Sequence, residues 1–164
     1  MGMEMTDGQS NIFVRVMRFP KAGDTVGSHA HNFAHLHYVP RGRLRVLKFA
    51  TVYGDGSPEA RLRGKDLERR ITAWRLKPGW MFWAPWMATR LWRQWQQLTV
   101  AQGPLITSVS VGADDLENFI LIPAFQFHGM VAEVDETHGH CVFAHRTPQG
   151  EVWQTYTGWG PAYV

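Results

Sequence analysis

The chain has 164 residues, 45% of them hydrophobic, and a formal charge of +3. That length suits one domain with a core of its own, and no apolar run approaches the length of a membrane span. A single cysteine, Cys141, excludes an internal disulfide and fits a reducing compartment, so a cytoplasmic location is expected.

The opening "MGMEMTDGQSN" lacks the basic and apolar regions of a signal peptide, and residues 1–10 read as a loose tail. "NIFVRVMRF" alternates, with Ile12, Val14 and Val16 on one face, which is the period of a half-buried strand. "PKAGDTVGS" is turn chemistry. "HNFAHLHYVPRGRLRVLKFATVY" alternates around a break at Pro40–Gly42 and predicts two strands joined by a tight turn. "ARLRGKDLERRI" is compatible with a short helix. "ITAWRL" and "GWMFWAPW" resemble strands, and "TRLWRQWQQLTV" fits either period. "FILIPAFQFHGMVAEV", "HCVFAHR" and "EVWQTYTGW" are the last strand candidates. Many short strands with Gly and Pro turns, and no long segment of helical period, predict an all-β sandwich or barrel. The expected organisation is one domain over 1–164, with 51–118 as an elaboration.

Charge excludes less than composition does. Ten of the 17 Lys and Arg lie between Arg41 and Arg75, but Asp55, Glu59, Asp66 and Glu68 interrupt them. The block reads as solvated surface, so neither nucleic acid nor membrane is an expected partner. Six of the eight tryptophans, Trp74, Trp80, Trp83, Trp86, Trp92 and Trp95, fall within 22 residues. They suit a second small core, a subunit or partner interface, or an aromatic wall over a cavity.

All eight histidines lie in two clusters: His29, His31, His35 and His37, then His128, His138, His140 and His145. On a strand, His29 and His31 point the same way. A turn at Asn32–Ala34 is expected to return His35 on the neighbouring strand beside them, as in a hairpin, so that three imidazoles converge. A distant residue can complete the set, and neutral imidazole suits Zn, Fe, Ni and Cu. His138 and His140 flank Gly139 in a turn-like stretch and are expected at the surface. Tyr38 is expected to pack on the face opposite His37, and Cys141 to pack inside.

"GDTVGSHAHNFAHLHYVPRG" resembles the first motif of the cupin family: G, five residues, H-x-H, three or four residues, E, six residues, G. Gly23, His29, His31 and Gly42 hold these spacings, and His35 stands where glutamate is usual. The second motif reads G, five residues, P-x-G, two residues, H. "GWMFWAPWMATR" offers Gly79 and Pro85 but ends on Arg90; "ENFILIPAFQFH" offers Pro123 and His128, with Glu117 and Phe125 where glycines are usual. Arginine has no lone pair to give a metal, so the second stretch is the better match. The end of the chain, "HCVFAHRTPQGEVWQTYTGW", is similar to that of small single-domain cupins of bacteriophage and bacterial genomes.

The resemblance implies a jelly-roll barrel, a double-stranded β-helix here bearing a Trp-rich insertion, and a homodimer. It implies one divalent transition metal (Zn, Fe, Ni or Mn) on His29, His31, His35 and His128. His37, Arg90 and His145 are candidates for a contact behind those ligands or with a substrate. An all-histidine shell leaves the ion about one charge more positive than the usual set with glutamate, which favours anionic ligands. The expected function is a metal-binding cupin, as an oxygenase, isomerase or lyase acting on a small polar metabolite. The alternatives are a metal-stabilised barrel that binds a partner, such as a second subunit or a virion component, and a sugar- or nucleic-acid-binding barrel.

Overall fold

The computed structural model describes residues 3–5, 12–75, 85–100, 103–144 and 154–156. In chain order these form β1 (Met3–Met5), β2 (Ile12–Phe19), β3 (Thr25–His31), β4 (His35–Arg41), β5 (Arg43–Phe49) and β6 (Val52–Tyr53). Helices α1 (Pro58–Arg75) and α2 (Pro85–Leu98) follow, then β7 (Thr99–Val100) and β8 (Leu105–Gly112). The chain continues through β9 (Phe119–Ile122), β10 (Phe127–Ala132), β11 (Thr137–Ala144) and β12 (Gln154–Tyr156).

The alternating stretches assemble into two five-stranded antiparallel sheets. One runs β1-β2-β11-β4-β9 and the other β12-β3-β10-β5-β8; β6 and β7 make a separate ribbon. Between the sheets lie Phe19, Val39, Leu44, Val46, Val111, Ile122, Met130 and Ala132, all buried. Met3–Met5 is a strand paired to Val14–Val16, where a loose tail was expected over residues 1–10.

Two expected hairpins are corners instead. Strand β3 belongs to one sheet and β4 to the other, so residues 32–34 cross between layers. The same holds for β4 and β5, whose junction is Gly42. Alternation reports which face is buried, not which strand is the neighbour, and that is why the pairing was misread. Gly42 takes φ +76, and a Cβ there would lie 2.4 Å from Thr137 Oγ1. The last glycine of the histidine motif is thus required by a left-handed corner against another strand.

The segment before β7 is helical: the short helix allowed for "ARLRGKDLERRI" forms, and the expected strand that begins at Ile71 is helix instead. Ser57 caps α1: its Oγ accepts from the Ala60 N–H at 3.2 Å, Pro58 stands at the first helical position, and Glu59 is in the first turn. "ITAWR" continues this helix, because Leu67 and Ile71 are four residues apart and both are buried. "TRLWRQWQQL" is also helix, burying Leu91, Trp92 and Trp95, while Thr99–Val100 is strand. Of "GWMFWAPW", residues 79–84 lie outside the described residues, and Pro85–Trp86 open α2.

Both helices contribute to a second core on the outer face of β3, β10 and β5. Ala30, Leu47, Phe49 and Phe127 meet Leu67 and Ile71 of α1 and Leu91, Trp92 and Trp95 of α2. Strand β10 is therefore buried on both faces. Phe127 turns toward the helices, whereas His128, Met130 and Ala132 turn toward the opposing sheet. This double covering keeps water from the backbone that carries His128.

Candidate metal centre

The two histidine-bearing regions, 29–37 and the start of β10, meet between the sheets. His29 and His31 come from β3 and His128 from the adjacent β10, where His128 is the register partner of His29. His35 and His37 come from β4, across the barrel. The relative exposures are 4% for His29, 6% for His31, 2% for His35, 1% for His37 and 0% for His128. The ligand nitrogens of His29, His31 and His128 all lie within 4.8 Å of one another, and so do those of His35, His37 and His128. His35 Nε2 is 3.1 Å from both His37 Nε2 and His128 Nε2. Imidazole nitrogens sharing a tetrahedral ion at ~2.0–2.1 Å would stand about 3.3 Å apart.

Backbone carbonyls set the tautomers of two rings. His29 Nδ1 donates to the Gly27 carbonyl at 2.7 Å, and His128 Nδ1 donates to the Gln126 carbonyl at 2.9 Å. A carbonyl only accepts, so Nδ1 carries the proton and Nε2 keeps its lone pair. The Nδ1 atoms of His31 and His37 are buried without a hydrogen-bond partner. Two unsatisfied ring atoms and a knot of facing nitrogens are costly in a dry interior unless something joins the rings.

Protonation does not relieve this cost. Burial pushes the pKa of every one of the five rings down from 6.5. For His35 burial and then the neighbouring His37 bring it down to about 2. Charge from Arg15 adds to burial at His29, and charge from Lys48 adds at His128. The rings are neutral in the folded chain and protonate in the unfolded one below pH ~6.5. Stability without metal is therefore present above that pH and is lost as pH falls toward the folded values. Thermal unfolding of the metal-free protein, followed from pH 8 to pH 4.5, should show a flat Tm above pH ~6.5. Below it the slope should approach ~1.4 kcal/mol per pH unit for each ring that remains neutral. A Tm unchanged down to pH 4.5 would contradict the burial of neutral rings.

The four expected ligands are brought together. His37 joins them as an equal member of the cluster, although the sequence reading placed it behind the ligands. Its parity with His35 was the signal. Arg90 lies exposed on α2, a helix and not the strand that a ligand motif needs. His145 lies outside the described residues. His138 and His140 sit within β11, half-buried, and not in an exposed turn; their strand parity is opposite to that of Cys141, which faces inward. Tyr38 is 36% exposed and nears the His140 ring at 6.0 Å, so it caps the outer face of that sheet. Cys141 is buried beside Phe33 and Phe143, as expected.

Phe125 stands where the motif's glycine is usual, and it takes φ +63. A left-handed bulky residue costs on the order of 1–3 kcal/mol. Its N–H donates to the His31 carbonyl at 2.7 Å, and its carbonyl accepts from Thr51 Oγ1 at 3.2 Å. Its ring packs on Trp95 and Trp92, at 5.4 Å and 6.3 Å between centroids. These contacts hold the strained turn and tie the helical layer to the strand carrying His31.

No protein-family model matches the chain, and no curated protein sequence matches it. Solved structures do resemble it. An oxalate oxidase in complex with glycolate superposes with TM-score 0.51 at 12% identity, over 95% of this chain and 54% of the oxidase. The chain thus spans about half the length of that enzyme. The oxalate decarboxylase of Bacillus subtilis gives TM-score 0.49 at 14% identity, over 93% of this chain and 27% of that one. A cupin superfamily protein of Desulfitobacterium hafniense gives 0.44 at 8% identity, over 89% and 77%. Two antiparallel sheets enclosing a histidine cluster define a β-sandwich of jelly-roll type. This chain has the cupin fold.

Proposed function

We propose that this chain is a metal-dependent cupin enzyme that binds one divalent transition ion in the histidine cluster and acts on a small polar metabolite. The observation that carries the reading is the convergence of five buried, neutral imidazoles from β3, β4 and β10, two of them with orphaned Nδ1 atoms. The donor set is all nitrogen, which suits Zn, Fe or Ni better than Mn by ligand softness. Bound there, the ion supplies Lewis acidity toward an oxygen ligand.

The residues have separable tasks. His128 belongs to both groups of candidate ligands and has one inward nitrogen, so the groups are alternatives for a single ion. His29 and His128 are pre-oriented by carbonyls, which lowers the cost of ordering them. The two sheets and the helical layer exclude water, which strengthens every interaction at the centre.

A second reading, a metal that only fixes the barrel, is favoured by the near-complete burial of all five rings. Metal analysis of the purified chain should give about one ion per chain, with X-ray absorption reporting the ligand number. Removal of the ion by a chelator should leave the far-ultraviolet circular dichroism intact. Unfolding on chelation would instead support the structural reading, and absence of stoichiometric metal would reject both.

A further inference from the structure

The two sheets differ in what lies outside them. Helices α1 and α2 cover the outer face of β3, β10 and β5. Among the described residues no helix covers the outer face of the other sheet. In that sheet Cys141, Phe143 and His37 turn inward, so the alternate residues of β11 and β4 turn outward. Strand register joins the outward residues into rows. Val14, Val142, Leu36 and Leu121 are successive cross-strand partners over β2, β11, β4 and β9. Val16, His140, Tyr38 and Phe119 make the next row over the same strands. Tyr38 is exposed, and Phe119 and Leu121 are roughly half exposed. An antiparallel sheet with one wet face ordinarily turns polar residues to the water. Here only His140 is polar in the two rows, and neither row holds a fixed charge. Arg18, His138 and Arg41 form a third row at one end, with both arginines exposed.

We propose that this face receives a second copy of the chain, sheet on sheet, about a two-fold axis lying along the rows. Size argues for a sheet as the occupant. Five strands ~4.8 Å apart, of about six residues each at ~3.4 Å per residue, give a face of roughly 24 Å by 20 Å. That is about 500 Å² when flat and more over the side chains, which approaches the ~800 Å² per partner of a stable complex. A single helix, ~10–12 Å across, would cover about two strands and leave the others wet. A second copy brings a sheet of equal width and equal twist, and two such sheets pack aligned, ~10 Å apart. Charge selects the axis. An axis along the strands would stack the row of Arg18 and Arg41 on its own copy, with like charges ~10 Å apart. An axis along the rows lays Phe119 over Leu121 of the partner subunit and Tyr38 over Leu36 of the partner subunit. It sends the two arginine rows to opposite ends, ~20 Å apart, well beyond the ~8 Å screening length of physiological salt. The contact is isologous and closes at two copies.

Sedimentation velocity of the full chain over a dilution series provides the test, and it needs neither metal nor turnover. The chain should be a dimer at tens of micromolar and dissociate on dilution. Phe119→Ser combined with Leu121→Thr should raise the dimer Kd about 100-fold or more, the size of losing anchor residues from both copies, with unchanged far-ultraviolet circular dichroism. Leu121→Lys alone, on the edge strand β9, should also shift the chain to monomer and gives an independent reading if the double variant misfolds. Ile106→Ser, at an equally exposed position on β8 of the other sheet, should leave the dimer intact. Nitroxides on His138→Cys, with Cys141→Ala leaving one thiol, should lie ~20 Å or more apart in the dimer. A wild-type chain that stays monomeric at about 100 µM would overturn the proposal and leave the face to a partner of other sequence. A dimer that keeps its Kd in the folded face variants, or that is broken by Ile106→Ser alone, would overturn it too. Nitroxides only ~10 Å apart would overturn the axis along the rows.

Discussion

Replacing His128 with alanine is expected to cost more than about 100-fold in metal affinity, beyond what loss of an outer hydrogen-bond partner removes. His128 is the one ring shared by the two candidate ligand groups, so no arrangement of the remaining histidines compensates. It is also the best-prepared ring: wholly buried, its tautomer set by the Gln126 carbonyl, its backbone paired on both sides by β3 and β5. Competition with a chelator of known affinity measures the loss. Arg90→Ala should leave metal loading unchanged, because Arg90 is exposed on α2. His37→Ala and His31→Ala divide the two groups. If the ion occupies the His29 side, His31→Ala releases it and His37→Ala spares it; the His35 side predicts the reverse. Retention of full affinity by His128→Ala would end the case for a shared centre.

How much of this was written in the sequence follows from what each pattern encodes. The spacing Gly23, His29, His31, His35, Gly42 needs no tertiary knowledge, because strand parity alone puts both members of His29–His31 on one face. Choosing His128 over Arg90 needed only the chemistry of the donor atoms. The hairpin failed because the short link 32–34 and the corner at Gly42 both change sheets. Nothing local distinguishes a corner from a turn within one sheet. The helices were only partly legible, for a different reason. "ARLRGKDLERRI" is compatible with a helix, but Trp carries weak helix propensity, so "ITAWRL" read as strand and "TRLWRQWQQLTV" fitted either period; packing on the barrel decided for helix.

Truncating Trp95 to alanine is expected to destabilise the fold by ~3–5 kcal/mol, the range for a fully buried aromatic. Trp95 is 0% exposed and lies at the centre of the outer core. Its ring stacks on Trp92 at 5.0 Å and on Phe127 at 5.9 Å, and its Nε1 donates to Glu68 at 3.4 Å. Glu68 also accepts from Tyr53 and pairs with Lys65, so the truncation loosens a half-buried carboxylate as well as leaving a cavity. At ~2–4 °C per kcal/mol for a chain of this size, Tm should fall by roughly 10 °C or more. The effect should reach the metal. Phe127 precedes His128, and Phe125, whose strained turn donates to the His31 carbonyl, leans on the same ring. Trp95→Ala should therefore weaken metal binding moderately while keeping one ion per chain, unlike His128→Ala, which removes the ion directly. Calorimetry with and without metal separates the two. A Tm drop of under about 1 °C in the metal-free chain would mean that the helices do not hold the barrel's outer face, and that Phe125 keeps its left-handed turn without them.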